Sequence, residues 1–285
     1  MHLRKAVITA AAPNQNTLPL QRLVDRNGIE KTALQLIVEE VTAAGIEEIC
    51  VVIQPGDARA YEIAAGEQLG SLTFVEQPVP RGYGHALCQA KPWVAGEPFI
   101  HLVGDHLYVS AIGTACALQL VQAANEHGCA VSAVQATREH RLADFGVIGG
   151  IPVPRSAGLY EVQRVLEKPT PTAAEQDLLT PGLRSGHYLC FFGMHVLTPI
   201  VLDLLEASIK AAPPTHRVTL SDALTELAQR ERYLALQVKG ARHNIGAKYG
   251  LLMAQLALGL SGRDRDQLLT ELVELLANRV SGNGA

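Results

Sequence analysis

Short apolar runs alternate with segments of helical periodicity through most of this 285-residue chain. The apolar runs are only a few residues long, as expected of buried strands, and the segments between them repeat apolar residues at helical spacing. Strands and helices that alternate in this way form a largely parallel sheet with helices on both faces. We therefore predict an α/β fold built on a mostly parallel, doubly wound (Rossmann-like) sheet, with a small added β-hairpin region and C-terminal helices.

The same pattern places the individual elements. The main predicted strands are 5–12, 48–54, 72–75, 98–103, 129–136 and 233–238. The main predicted helices are 32–44, 58–65, 85–93, 110–127 and 199–209. Glycine and proline cluster at 149–158, which predicts a hairpin there. We divide the chain into an α/β domain, 1–250, and a helical extension, 251–285, whose last residues, 281–285, are expected to be frayed.

Composition and charge exclude several classes of protein. With 48% hydrophobic and 18% charged residues, the chain is an ordinary soluble globule, and its net charge of −4 argues against nucleic-acid binding. No apolar window is long enough for a membrane helix, and the first strand begins too early for a signal peptide, so we expect a cytoplasmic protein. The five cysteines are scattered without a CxxC pair, which predicts core thiols rather than a zinc or disulfide framework.

The segment 72–108 contains the strongest candidate site. Its loop, 77–84, holds two prolines and two glycines, and glycine lets the backbone approach a ligand closely. The next apolar run ends at Gly104-Asp105, which places a carboxylate at the carboxyl edge of the sheet, where open α/β folds bind ligands. Each feature alone could be a simple turn or helix cap. Together, a glycine-rich loop and a strand-end carboxylate suggest a nucleotide held beside a metal ion.

Gln77 and the run Arg81-Gly82-Tyr83-Gly84-His85-Ala86 resemble the base-recognition segment of the sugar-1-phosphate nucleotidyltransferases. The nearest branch is the bacterial UTP–glucose-1-phosphate uridylyltransferases. Gly104-Asp105 is similar to the strand-end Asp with which that family binds its metal. The resemblance implies a set of nucleotide-binding residues, namely Ala11, Ala12, Gln77, Gly82, Gly84, His85 and Gly104.

Three later segments resemble the sugar side of the same family, and the third of them, 184–196, contains Gly193. Residues 144–150 are similar to its Ala-Tyr-Gly-Val-Val segment, and Glu167-Lys168-Pro169 to its Glu-Lys-Pro motif. A carboxylate suits sugar hydroxyls, and an ammonium is a point charge for phosphate. The resemblance implies four sugar-binding residues, Gly146, Glu167, Lys168 and Gly193, and two catalytic residues, Asp105 and Lys168. Residues 213–223 resemble the family's Glu-Ile-Gln-Leu-Thr-Asp-Ala run, although Ser221 and Asp222 could simply begin a helix.

The chain departs from the family around the expected triphosphate. Asn16 stands where the family has an Arg, and Leu20 or Gln21 stands where it has a Lys. Asn244 replaces the Asp that is the family's second magnesium ligand; with Asp105 it would form the metal site, but with one charge fewer. Three nearby basic residues are candidate replacements for the missing cations: Arg22, Arg26 and Lys31. Each could instead be an exposed surface charge.

The resemblance implies in-line attack by a sugar 1-phosphate, preferably glucose 1-phosphate, on the α-phosphate of UTP. The products are a UDP-sugar and pyrophosphate, and Mg²⁺ assists without a covalent protein intermediate. The implied partners are UTP and the sugar 1-phosphate, and a homo-oligomer is compatible with the sequence. The alternative is a weak or inactive sugar-nucleotide-binding homologue with a regulatory role, because the changes cluster at the triphosphate end. A Rossmann dehydrogenase is disfavoured because no GxGxxG follows the first strand.

Overall fold

The structure is a computed structural model that describes residues 1–213 and 215–281. The strands are β1 (Lys5–Thr9), β2 (Arg22–Val24), β3 (Glu30–Thr32), β4 (Glu48–Ile53), β5 (Leu72–Glu76), β6 (Phe99–Val103), β7 (His106–Ser110), β8 (Ala130–Arg138), β9 (Gly146–Pro152), β10 (Leu159–Glu167), β11 (His187–Leu197), β12 (Tyr233–Gln237) and β13 (Gly240–Asn244). The helices are α1 (Ala33–Thr42), α2 (Ala58–Ala65), α3 (Tyr83–Gln89), α4 (Lys91–Val94), α5 (Cys116–His127), α6 (Pro171–Asp177), α7 (Ile200–Ala211), α8 (Leu220–Arg230), α9 (Gly250–Leu260) and α10 (Arg265–Ser281).

A nine-stranded mixed sheet forms the centre of the molecule, in the order β5-β4-β1-β6-β11-β8-β12-β10-β9. Strands β5, β4, β1 and β6 are parallel, as are β8 and β12. Strand β11 lies antiparallel between β6 and β8, and β9 and β10 form the predicted hairpin. The α/β architecture is confirmed, but a mostly parallel sheet is not. The direction of β11 depends on the strands it pairs with, which strand-and-helix spacing does not specify.

Both faces of the sheet are buried under helices. Along β1, Ile8 faces the core beneath α1, α2 and α5, and Val7 faces the core beneath α3, α7 and α8. Successive residues of a strand point to opposite faces, so a strand covered on both sides needs a continuous apolar run. This requirement explains why short apolar runs located the parallel strands in the sequence.

Most predicted elements lie where the sequence places them. Helix α2 matches its predicted bounds, and α1 begins with a capping box in which the side chains of Thr32 and Gln35 each bond the other's backbone amide. The predicted helix 110–127 begins later, at Cys116, because β7 occupies the chain before it. Strand β5 is an edge strand and is only partly buried.

A small second sheet holds the chain beside the carboxyl end of β6. Strands β7 and β13 pair in an antiparallel ladder that places His106 opposite Asn244. Helix α9 contacts β2, β7 and β13, and α10 contacts α9. Among the described helices, none combines the length and apolarity that a membrane crossing requires. The division at residue 250 stays a prediction, and residues 282–285 of the expected frayed end lie outside the described part of the chain.

Candidate functional site

A cavity of about 580 Å³ opens at the carboxyl ends of β1 and β6. It brings together seven of the residues predicted from sequence: Ala11, Ala12, Gln77, Gly82, Gly104, Asp105 and Lys168. These residues come from four separate parts of the chain, and the cavity lies at the sheet edge where open α/β folds bind ligands. The glycine loop, the strand-end carboxylate and the lysine therefore share one pocket.

The loop after β1 supplies backbone donors to this cavity. Ala11, Ala12 and Asn14 line it, and within the described residues their amide N–H groups donate to no acceptor. Asn14 has a φ of 64°, and the Gln15 amide closes the turn on the Ala12 carbonyl at 3.1 Å. Successive free amides in a turn of this kind form an anion-binding concavity. The loop can therefore bind phosphate oxygens without a cation of its own.

Gln77 and His85 form one hydrogen-bonded unit at the opposite wall. The buried Gln77 donates from Nε2 to the Gly82 carbonyl at 3.3 Å and to His85 Nδ1 at 2.9 Å. Burial and the neighbouring Arg81 lower the pKa of His85, so its ring is neutral and Nδ1 can accept. Gln77 Oε1 then remains available to a ligand. His85 does not line the cavity itself; it orients Gln77.

The two glycines of this loop have different roles. Gly82 has a φ of 103°, and a Cβ on it would lie 2.8 Å from the Val218 carbonyl oxygen, so only glycine fits there. Gly84 does not line the cavity. A Cβ on Gly84 would lie 2.7 Å from the Leu205 side chain and 3.0 Å from the Thr219 carbonyl oxygen. The structure thus places Gly84 in helix packing, where it lets α3 approach α7 and α8.

Asp105 is the carboxylate of the cavity. Its side chain is 24% exposed, and Oδ1 accepts a hydrogen bond from His106 Nδ1 at 2.7 Å. Burial alone would raise the pKa of Asp105, but the hydrogen bond and charge of His106 outweigh burial and lower it. Its main-chain carbonyl accepts from the Ile245 amide at 2.9 Å, which ties the residue to the end of β13. Asp105 is therefore an ionised, positioned carboxylate.

Lys168 lines the cavity at the end of β10 and has a φ of 46°. Its neighbour Glu167 accepts a hydrogen bond from Ser221 Oγ at 2.5 Å. A Cβ on Gly146 would lie 2.9 Å from the same Ser221 oxygen and 2.7 Å from the Phe191 ring. Glu167 and Gly146 do not line the described cavity; they form an adjoining cluster around Ser221. Its link to the cavity is the chain neighbour of Glu167, Lys168, and both residues were predicted to bind the sugar.

Gly193 lies behind the carboxylate rather than in the cavity lining. It has a φ of 86°, and its carbonyl accepts a hydrogen bond from the Tyr108 hydroxyl at 2.9 Å. A Cβ there would lie 2.9 Å from the Val103 side chain. The position therefore requires glycine because β11 approaches β6 and β7 closely, and the structure assigns Gly193 to this packing.

Asn244, predicted as a metal ligand, also lies outside the cavity lining. Its Oδ1 accepts from the amides of Gly246 and Ala247, at 2.8 and 3.1 Å. An oxygen with two backbone donors closes a turn and has no lone pair left to offer a cation. Within residues 1–213 and 215–281, no group of three or more His, Cys, Asp and Glu side chains could hold a metal. Among the described residues that line the cavity, Asp105 is the one carboxylate.

The residues at the expected cation positions point elsewhere. Asn16 donates from Nδ2 to Asp57 Oδ2 at 2.7 Å, and Gln21 donates from Nε2 to the Thr17 carbonyl at 3.2 Å. The suggested replacements do not line the cavity either. Arg22 pairs with Glu30, and Lys31 pairs with Asp25 and Glu39. The expectation that Arg22, Arg26 or Lys31 would compensate is therefore not supported.

Replacing Asn16 with Ala is expected to reduce stability rather than activity. The change removes a hydrogen bond to the Asp57 carboxylate, so the free energy of unfolding should fall by about 1–2 kcal/mol. Because Asn16 does not line the cavity, kcat/KM should stay within about threefold of wild type. Urea unfolding and steady-state kinetics on the same preparation would measure both, with Gln21→Ala as the control. A tenfold loss of kcat/KM at unchanged stability would contradict this assignment (~1.4 kcal/mol).

Arg217 and Tyr83 are among the cavity residues that were not predicted. Arg217 is exposed at the cavity wall and forms no ion pair with any described residue. The available signal was its place in the 213–223 run. Tyr83 is half-buried, and its hydroxyl donates to His101 Nε2 in the centre of the sheet. A tyrosine inside the glycine loop gave no signal, because its partner is distant in sequence.

His101 fixes the position of Tyr83 through one defined tautomer. Its Nδ1 donates to the Val7 carbonyl at 2.8 Å, so Nε2 holds the lone pair that accepts from Tyr83. Burial lowers the pKa of His101 to about 4, which keeps the ring neutral. The beginning of α3, and with it the glycine loop, is thereby anchored to β1 and β6.

The stability of the protein should fall as the pH drops from about 6.5 to 4. In this range the unfolded His101 takes up a proton that the folded His101 does not, so each added proton favours unfolding. The lowered pKa corresponds to about 3 kcal/mol of unfolding free energy lost across that window. Urea unfolding at several pH values should show a shallower dependence for His101→Gln, whereas the exposed control His140→Gln should follow wild type. Equal slopes in all three proteins would refute the assignment.

Comparison with known proteins identifies the family. Residues 24–258 match the family model described as nucleotidyl transferase. The chain belongs to the nucleotidyl transferase family. The resemblance found in the sequence is thus confirmed, and the fold is the α/β fold of this family, a mixed sheet with helices. The chain is therefore a member of a family of nucleotidyltransferase enzymes.

Individual members of the family match nearly the whole chain. UTP–glucose-1-phosphate uridylyltransferase 1 of Streptococcus pyogenes serotype M3 is 29% identical and covers 90% of this chain and 89% of its own. The uridylyltransferase of Streptococcus pneumoniae serotype 4 is also 29% identical, over 96% of each chain. A UDP-glucose pyrophosphorylase complexed with UDP-glucose superposes with a TM-score of 0.73, at 24% identity, over 90% of this chain and 98% of that one. A UTP-bound UGPase from Acinetobacter baumannii gives 0.72 at 22% identity, over 95% and 99%. These two structures share the fold.

Proposed function

We propose that this protein transfers a uridylyl group from UTP to a sugar 1-phosphate, with glucose 1-phosphate the preferred acceptor. The observation that supports this function best is the joining of Gln77, Gly82, Asp105 and Lys168 in one cavity. A base-recognition loop, a carboxylate and a cation at a sheet edge are what in-line transfer between two phosphates requires. The curated relatives in two Streptococcus species carry the same activity in their names.

The nucleotide would lie between the loop after β1 and the glycine loop. Gln77 Oε1 and the backbone around Gly82 can hydrogen bond the edge of a pyrimidine, because His85 and the Gly82 carbonyl hold the Gln77 amide nitrogen. The free amides of Ala11, Ala12 and Asn14 can bind phosphate oxygens. The nucleotide is then oriented at both ends, and orientation is a large part of catalysis in this reaction class.

Lys168 would hold the reacting phosphates directly, and Asp105 would do so through a bound metal ion. A divalent metal, which the resemblance implies to be Mg²⁺, fits the ionised Asp105, since magnesium is commonly bound by one or two carboxylates together with substrate phosphates. When bound, the ion would neutralise phosphate charge. Lys168 would bind the phosphate of the sugar, and Glu167, oriented by Ser221, would accept hydrogen bonds from sugar hydroxyls.

Two observations favour a second candidate, a weak or inactive sugar-nucleotide-binding protein. The loop after β1 brings no cation into the cavity, and Asn244 is engaged in a turn instead of facing a metal. Missing charge-assisted contacts raise the barrier of phosphoryl-type transfer more than they weaken ground-state binding.

A direct assay separates the two candidates. Purified protein with UTP, glucose 1-phosphate and Mg²⁺ should release pyrophosphate and form UDP-glucose, detected by coupled phosphate release and by mass spectrometry. Calorimetric titration with UDP-glucose would measure binding in parallel. Turnover supports the proposed enzyme, whereas UDP-glucose binding without turnover supports the binding protein. Neither turnover nor binding would refute both.

A further inference from the structure

The cavity contains few charges for a site that would hold a triphosphate. Among its described lining residues, the charged side chains are Asp105, Lys168 and Arg217. Asp105 is anionic, and Lys168 is assigned to the sugar phosphate in the proposed function. Arg217 is therefore the one lining cation within residues 1–213 and 215–281 that has no role so far.

The backbone of Arg217 is held against the glycine loop. The Val218 amide donates to the Arg81 carbonyl at 2.9 Å, and the Gly84 amide donates to the Val218 carbonyl at 3.0 Å. A Cβ on Gly82 would lie 3.4 Å from the Cβ of Arg217. The side chain of Arg217 therefore starts directly beside Gly82, and the next residue, Val218, is held to the loop by both its amide and its carbonyl.

The guanidinium of Arg217 is uncommitted, unlike that of the other arginine at this loop. Arg81 donates from Nη2 to the carbonyls of Ile209, Ala212 and Pro213, at 3.1 to 3.4 Å, and so caps the end of α7. No hydrogen bond or ion pair of the Arg217 side chain occurs within the described residues. Arg81 does not line the cavity, so of the two arginines Arg217 is the one placed to donate to a ligand there.

The chemistry of Arg217 suits a phosphate ligand. A guanidinium matches phosphate geometry with paired donors. In the same chain, the loop positions expected to be cationic hold Asn16 and Gln21, which point away.

We propose that Arg217 binds the phosphates of the nucleotide and supplies, from the segment before α8, positive charge that the loop after β1 lacks. This inference rests on the proposed function only in taking a nucleotide as the ligand of the cavity. It assigns to Arg217 a binding contribution that grows with the phosphate charge of the ligand and is absent for the nucleoside.

The test compares ligands that differ only in phosphate. Uridine, UMP, UDP and UTP are titrated calorimetrically into wild type, Arg217→Gln and Arg217→Lys, in buffer with EDTA so that no metal bridges the phosphates. Arg217→Gln should weaken UTP binding by roughly 10- to 100-fold and leave uridine within about twofold. Arg217→Lys should lose less, because it keeps the charge but not the paired donors. Added salt should weaken UTP binding more in wild type than in Arg217→Gln.

Arg184→Gln is the matched control, since Arg184 is also exposed and does not line the cavity. The proposal is overturned if Arg217→Gln weakens uridine and UTP equally, if it weakens neither, or if wild type binds uridine as tightly as UTP. Failure of the proposed function gives a different result. A protein that loses its preference for UTP in Arg217→Gln but never forms UDP-glucose retains this inference and loses the enzyme assignment. If wild type forms UDP-glucose but Arg217→Gln binds UTP as tightly as wild type, the enzyme assignment stands and this inference fails.

Discussion

Replacing Asp105 with Asn should lower kcat/KM for uridylyl transfer by roughly 1,000-fold without unfolding the protein. The amide has the shape of the carboxylate, but it is neutral and can no longer attract a divalent cation beside the phosphates. The main-chain bond from the Ile245 amide does not depend on the side chain and should persist. Steady-state kinetics at several Mg²⁺ concentrations should show a higher metal requirement as well as a lower maximum rate.

The control for this change is Asp144→Asn, which removes an exposed carboxylate paired with Arg141. Asp144 does not line the cavity, and an exposed ion pair contributes about 1 kcal/mol or less, so activity should be unchanged. Chelation by EDTA followed by Mg²⁺ addition should abolish and restore the wild-type rate. If Asp105→Asn retained activity within about tenfold of wild type, which is ~1.4 kcal/mol of barrier, the assignment of Asp105 would be wrong.

Replacing Lys168 with Gln should lower kcat/KM for the sugar 1-phosphate by roughly 100- to 1,000-fold. Lys168 is the cation at the end of β10, and the loss of a charged contact to phosphate should raise KM for glucose 1-phosphate and lower kcat. KM for UTP should change little, because UTP would be held elsewhere, by the glycine loop and the loop after β1. The φ of 46° at this position strains Gln as much as Lys, so the substitution should not change the backbone strain.

The matched control is Lys210→Gln, an exposed lysine of α7 that pairs with Glu206. It should leave both KM values unchanged. Lys168→Arg should recover part of the loss, since it keeps the charge with a different shape. An equal rise of both KM values in Lys168→Gln would instead indicate that Lys168 supports the whole pocket rather than the sugar phosphate.

Much of the site followed from residue types at strand ends. Gln77, Gly82, Gly104 and Asp105 lie within one stretch of chain, so the loop and the strand that carry them could be read together. Lys168 lies further along, and its Glu-Lys-Pro context identified it. These residues share the cavity because the carboxyl ends of β1 and β6 meet at one edge of the sheet.

Other assignments depended on where a side chain points and what surrounds it, which the residue type alone does not determine. Asn16 occupies the position of an expected cation, yet its side chain bonds Asp57 at the start of α2. Gly84 and Gly193 fit their family positions, but the atoms that exclude a side chain there belong to neighbouring elements and not to a ligand-facing surface. Arg217 was missed because only the pairing of Val218 with the 81–84 loop brings it to the cavity.

The sequence by itself determined the layered α/β architecture. Strands buried on both faces must be apolar throughout, and the helices between them must place an apolar residue every three or four positions. It also determined which chemical groups are available to a sugar nucleotide. Only the tertiary structure decided the antiparallel course of β11 and the identity of the free cation. Both depend on contacts between residues far apart in the chain, and such contacts are set by packing and backbone pairing rather than by local pattern.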